Sequence, residues 1–258
     1  MSASNADTIL VRGRDLCSEL IGRIGFTDHF WLLLTGAMPS EVQRGVLDAT
    51  LVAIAEHGLV PSVQASRMTL AAAPEALQGA VAAGILGCGS VVLGSSEAAG
   101  RFLGEIVARK DGTTIESAAE SVVREYRQAR RAIPGYGHPL HKARDPRARR
   151  LFEVARELKV AGEHVASALA AEQAIPAIVG KSLALNVSGA IPAVLLDAGY
   201  PAAALKGVPI LARTAGLIAH LLEEQHRPIG FVLSHAGAQA VAYDGPAPEG
   251  FEPAEEEP

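Results

Sequence analysis

The chain has 258 residues and a mass of 26.7 kDa. Its 49% hydrophobic and 20% charged residues suffice for a large core in one big or two modest domains and exclude disorder for most of the length. The 28 acidic and 23 basic residues give a net charge of −5, but six of the acids follow Tyr243, where no Lys or Arg occurs. The nearly neutral body argues against a general nucleic-acid binder and leaves room for a local basic site.

The first residues show no basic region followed by an apolar run, so no secretory signal is visible and a cytoplasmic location is predicted. Cys17 and Cys88 have no second Cys or His at metal-ligand spacing and read as reduced core thiols. Phe30 to Leu34 reads as a short apolar helix ended by Gly36 and Pro39. Ser40 with Gln43 forms a capping box, after which Val42, Val46, Leu47, Leu51 and Ile54 share one face up to a stop at Gly58. The charge-free stretch between Glu75 and Glu97 is long enough to raise a membrane span. Gly79, Gly84, Gly87, Gly89 and Gly94 dilute it, so a buried helix followed by a turn is predicted and no membrane partner.

Thr114 to Arg131 is a long amphipathic helix with Ile115, Ala118, Ala119, Val122, Val123 and Tyr126 inward. Asp145-Pro146 is a strong helix start, with Leu151, Phe152, Ala155 and Leu158 as the buried stripe. Further helices are expected around 160–172, 189–198 and 209–224. No run shows sustained two-residue alternation, so the fold class is all-α. From Asp244 the chain is Pro-rich and acidic and reads as a flexible tail.

The chemistry concentrates between Arg124 and Arg150, where nine Lys or Arg face only Glu125 and Asp145. Pro134, Gly135 and Gly137 make a tight loop whose amides can approach a ligand closely. It precedes a helix N-terminus, which favours phosphate or carboxylate. One reading is an anion site centred on His138. The other is a solvated basic helix face with a Gly-Pro turn. His138 and His141 lack thiolate or spare carboxylate ligands nearby, so no metal is assigned. His29, His164 and His226 read as surface or packing residues. His220 lies two helical turns beyond Arg213 and can face the same cleft.

The run PGYGHPLHKARDPR (Pro134 to Arg147) resembles the signature of the citrate synthase family, in which a Gly-x-Gly-His loop is followed by Asp-Pro-Arg. The segments LVRGRDLCSELIGRIGFTDHFWLLLTGAMPS, AIAEHGLVPSVQASR and ILARTAGLIAHLLEEQHRP resemble further family regions in the same order. The short length and NVSGAIPAVLLDAGYP resemble the citryl-CoA lyase branch, which is similar to the cleavage domain of ATP-citrate lyase. The resemblance implies a large helical domain (1–95 and 206–243), a smaller inserted helical domain on the coenzyme A side (96–205), an acidic tail (244–258) and a homodimer. It implies that His57, His138, Arg147 and Arg213 hold the dicarboxylate end of the substrate, with His138 as acid/base. Arg227 matches an arginine that reaches across the dimer. Pro134, Gly135, Tyr136, Gly137 and Lys142 lie where coenzyme A binds. No tightly bound cofactor is implied, because the coenzyme A thioester is itself the substrate, alongside a di- or tricarboxylate.

Two positions depart from the family. Its Leu-His-Gly-Gly segment corresponds to VVLGSSEAA, with Leu93 or a neighbour in place of a catalytic His, and its catalytic Asp in Asn-Val-Asp is Ser188 in Asn186-Val187-Ser188. A serine is no carboxylate base without a partner to deprotonate it. The expectation is therefore a citryl-CoA lyase or citrate synthase-like enzyme with cleavage favoured. The alternatives are a weakened paralogue that binds coenzyme A or a dicarboxylate as a sensor or partner subunit, and a retro-aldol enzyme on an acid without coenzyme A.

Overall fold

A computed structural model describes residues 1–89, 95–137, 145–246 and 248–251. Among them, helices carry the fold: α1 (Phe26–Thr35), α2 (Glu41–Ala55), α3 (Pro61–Ala72), α4 (Leu77–Leu86), α5 (Ser95–Arg109), α6 (Ile115–Gln128), α7 (Pro146–Glu157), α8 (Glu163–Val179), α9 (Val187–Asp197), α10 (Gly207–His226) and α11 (Gly230–Gln239). The predicted starts form as read. Ser40 Oγ accepts the Gln43 amide at 3.2 Å while Gln43 Oε1 accepts the Ser40 amide at 2.9 Å. Thr114 caps α6, and Asp145 caps α7 with Pro146 in its first turn. A left-handed Gly36 ends α1.

The departures have local causes. Three short antiparallel strands, β1 (Ser2–Ser4), β2 (Ile9–Val11) and β3 (Arg14–Asp15), precede the helices and are too short to show alternation. Cys17 is exposed in a surface π turn (Leu16–Leu20), so it is not the core thiol expected, and Cys88 is half-buried. The helix in the charge-free stretch, α4, buries only Ala80 and Gly84 and leaves Leu86 85% exposed. Leu158 is half-buried at the end of α7. Helix α3 escapes an apolar-period search because it buries Ser62, Ser66 and Arg67 beside Val63 and Leu70. Helix α8 starts at Glu163 because Asp197, from α9, accepts the amides of Gly162, His164 and Val165. It runs on to Val179 through Pro176.

Helices α5 to α9 pack on one another, α3, α4, α10 and α11 form a second group, and α2 touches both through α7, α9 and α10. At the centre of the first group Phe102 meets Tyr126 and Tyr136 edge-on, with centroids 5.1 and 6.0 Å away. Full burial of Phe102, Ile191 or Leu195 contributes about 1.5–3 kcal/mol each. Residues 202–226 include the one helix among the described residues long and apolar enough to cross a membrane by composition. That helix, α10, packs against α2, α3 and α4.

Candidate active site

The glycine loop is tied to the start of α9. The Gly135 carbonyl accepts the Asn186 amide at 2.9 Å, the Gly137 amide donates to the Ala184 carbonyl at 2.7 Å, and Asn186 Nδ2 donates to the Gly137 carbonyl at 2.7 Å. Only glycines allow this approach, because a Cβ on Gly135 would lie 2.7 Å from Gly189 Cα and one on Gly189 would lie 2.8 Å from the Gly135 carbonyl oxygen. Tyr136 is turned inward. Its hydroxyl donates to the Ala168 carbonyl at 2.8 Å, and burial pushes its phenol well up, so it stays a neutral donor. The tyrosine side chain thus anchors the loop to α8. Asn186 also caps α9 by accepting the Gly189 amide at 3.2 Å, a role not assigned to it in the sequence.

Two of the expected carboxylate-binding residues, 90 positions apart, meet directly. Arg147 Nη1 donates to His57 Nδ1 at 3.2 Å. A guanidinium has no acceptor, so Nδ1 is the accepting nitrogen in this contact. Arg147 Nε and Nη2 are engaged by Asp145 at 3.1 and 3.0 Å. The Asp145 carboxylate also accepts the Val187 amide at 2.9 Å. This ties the start of α7 to the first turn of α9, where Ser188 stands half-buried.

Arg213 comes from the middle of α10 and is buried at 3% exposure. Its Nε and Nη1 have no hydrogen-bond partner among the described residues. Burial pulls the guanidinium below its ordinary value, with Glu56 opposing the shift and Arg147 adding to it. A buried cation left unpaired costs several kcal/mol, so this side chain is built for an anion. His220 does face this region, where its Nε2 meets Glu56 Oε2 at 2.8 Å. Burial would raise the Glu56 carboxyl, but the Gly58 amide and His220 outweigh it and hold it below the usual range. Glu56 thereby fixes the turn that carries His57.

The contact between α10 and the end of α2 depends on Gly216, where a Cβ would lie 2.0 Å from the Ala55 carbonyl oxygen. Gly216→Ala is expected to destabilise the protein by about 1–3 kcal/mol in urea unfolding. It should also weaken dicarboxylate binding, since Arg213 and His220 flank the displaced turn.

A second feature borders the loop. Arg127, Arg130, Arg131 and Lys181 line a groove of about 790 Å³ floored by Ile133, Tyr136, Val179 and Leu183. Arg131 is held with its guanidinium 4.0 Å over the Tyr126 ring. Lys181 was missed in the sequence because it stands outside the basic run. Arg227 sits at the far end of α10, exposed, fourteen residues and roughly 21 Å of helix from Arg213. Within one chain it does not join the His57, Arg147 and Arg213 group. His138, His141, Lys142 and Leu93 lie outside the described residues, as does the tail beyond Phe251.

Residues 5–230 match the family model described as "Citrate synthase, C-terminal domain". The solved citryl-CoA lyase from Hydrogenobacter thermophilus is 33% identical with a TM-score of 0.85, and the match covers 98% of this chain and 96% of that one. The ATP citrate lyase from Methanothrix soehngenii, solved with citrate and coenzyme A, shares the fold at 24% identity and a TM-score of 0.78, over 98% of this chain and 42% of that one. The curated citrate synthase of Heyndrickxia coagulans is 28% identical over 78% of this chain and 52% of its own length. The chain thus spans about half the length of the curated relatives it matches. With this match over most of its length and an all-helical fold of the same type, the chain belongs to the citrate synthase family.

Proposed function

We propose that this protein is a citryl-CoA lyase-type enzyme that breaks, and in reverse makes, the carbon–carbon bond between an acyl-CoA and an oxaloacetate-like 2-oxo acid. The observation that carries the reading is Arg213, a buried guanidinium with two nitrogens unpaired among the described residues, beside the Arg147–His57 pair. Planar guanidinium groups hold carboxylates bidentately. The basic groove beyond the glycine loop supports a polyanionic second ligand, and its apolar floor suits the coenzyme A body. The end-to-end likeness to a citryl-CoA lyase supports the same assignment.

In this reading His57, Arg147 and Arg213 clamp the acid while Arg131 and Lys181 hold phosphates of coenzyme A beside the Pro134 to Gly137 loop, with Lys142 nearby. His138 takes the proton from the citryl hydroxyl as the carbon–carbon bond breaks. The electrons pass to the thioester as its enolate, which water or Ser188 protonates. The products are acetyl-CoA and oxaloacetate.

The remaining features belong to the same proposal. Residues 96–205 form the coenzyme A-side domain and 1–95 with 206–243 the larger one, a division supported by the two packing groups that α2 bridges. A homodimer is supported by the apolar side chains that α4, α10 and α11 leave outside, among them Leu86, Ile218, Leu222, Phe231 and Val232. Arg227 lies exposed between α10 and α11, which supports a role toward the partner subunit. The cytoplasm is the proposed location, supported by two thiols that form no disulfide.

Incubation with citryl-CoA, followed by mass spectrometry, tests the reading. Wild type should release acetyl-CoA and oxaloacetate, and His138→Ala should not. The double substitution Arg131→Ala with Lys181→Ala should weaken coenzyme A binding by roughly 10- to 100-fold in calorimetry, on the scale of charge-assisted contacts of about 1.5–3 kcal/mol. Ser188 favours a second reading, a paralogue that binds these ligands without turnover. Tight coenzyme A binding with no cleavage of any acyl-CoA would establish it.

A further inference from the structure

Asp145 is fully buried, and every acceptor position of its carboxylate is occupied. Oδ1 takes the Arg147 amide at 3.0 Å and Arg147 Nε at 3.1 Å. Oδ2 takes Arg147 Nη2 at 3.0 Å and the Val187 amide at 2.9 Å. A carboxylate offers about four lone-pair positions, so none remains to receive a proton from a substrate. Burial alone would raise this carboxyl, but the Arg147 and Val187 donors outweigh it and hold it below the usual range. Although it accepts the Val187 amide, one residue before Ser188, Asp145 does not replace the missing base.

Its geometry serves another end. An arginine side chain presents two bidentate edges, one made by Nε with Nη2 and one by the two terminal nitrogens. Asp145 occupies the first edge, while Nη1 is aligned on His57. Nη1 and Nη2 each carry a second N–H, so the terminal edge still has donors for a second carboxylate. Because the same Asp145 oxygen holds the Val187 amide, the orientation of Arg147 is referenced to the start of α9 and, through Asn186, to the glycine loop.

We propose that Asp145 is a positioning residue that presents the terminal edge of Arg147 to the carboxylate of the acid substrate, in fixed register with α9. The proposal rests on the citryl-CoA reading above.

Asp145 also caps α7, so a test must separate capping from positioning. Asp145→Ser keeps a good N-cap and removes the fork that holds Nε and Nη2. In calorimetry on the full chain, this variant should bind citrate roughly 10- to 100-fold more weakly, the scale of a misplacement of about 1 Å. Coenzyme A affinity should stay within about threefold, while the melting temperature falls because the Arg147 and Val187 donors lose their acceptor. Asp145→Asn, nearly isosteric, sets its amide against Nη2 and the Val187 amide as donor against donor. It should show the same selective loss and serves if the serine variant does not fold.

Unchanged citrate affinity in both variants overturns the proposal. So does a parallel loss of citrate and coenzyme A affinity, which marks a residue needed only for the fold. Wild type that binds neither ligand overturns the functional reading itself and this proposal with it. Wild type that binds both ligands, with citrate affinity unchanged in both variants, overturns the positioning role alone.

Discussion

Arg213→Ala should abolish most citryl-CoA cleavage and leave the free protein as stable as before or more so. The two effects have one cause. In the free protein the guanidinium is 3% exposed and has two nitrogens without hydrogen-bond partners among the described residues, so its desolvation is not offset until an anion arrives. Removing one partner of a buried, hydrogen-bonded charge pair costs about 2–5 kcal/mol of binding, or roughly 30- to 5,000-fold in kcat/KM. The same truncation relieves the free protein of a buried unpaired charge, and the melting temperature without ligand should hold or rise. Citrate should no longer raise it, because stabilisation by a ligand follows its affinity for the native state. Arg213→Lys keeps the charge but not the planar fork and should recover only part of the activity. A fall of several degrees in melting temperature with full activity would sink this role for Arg213.

Local signals made part of this architecture legible. Ser40 with Gln43, Thr114, and Asp145 with Pro146 each cap a helix from their own sequence neighbourhood, and those starts were readable. Helix α8 is capped by Asp197 from 32 to 35 residues away, and no local pattern reports that. The candidate site divides in the same way. A basic run and a glycine loop marked an anion site, but the pairing of His57 with Arg147 is a product of tertiary packing, and the family resemblance implied only that both hold the dicarboxylate. His220 carried a usable signal in its seven-residue spacing from Arg213, and the structure adds its partner Glu56. Lys181 carried none, and for Asn186 only the cap of α9 is local, since its bond to Gly137 arises from α9 folding back onto the loop.

The second large effect is expected at Ser188. It occupies the first turn of α9, half-buried, with Asn186 capping the helix and the Val187 amide already bound by Asp145. A carboxylate suits this place structurally, because the helix N-terminus favours negative charge by about 0.3–1 kcal/mol. Ser188→Asp should therefore fold, and the introduced carboxylate should add the base that takes a proton from the acetyl methyl group. General-base catalysis contributes roughly 10²–10⁴-fold. Citrate formation from acetyl-CoA and oxaloacetate, followed by mass spectrometry, should rise by that order over wild type. Cleavage responds differently. In that direction the first proton leaves the substrate hydroxyl, which lies at His138 in the proposed mechanism, so Ser188→Ala should keep cleavage within about threefold if water protonates the enolate. A much larger loss would make the Ser188 hydroxyl the proton donor. If Ser188→Asp stays folded, binds both ligands and forms no citrate, the serine is not what limits synthesis. The altered segment around Leu93, where the family's synthases carry their second histidine, would then be the barrier.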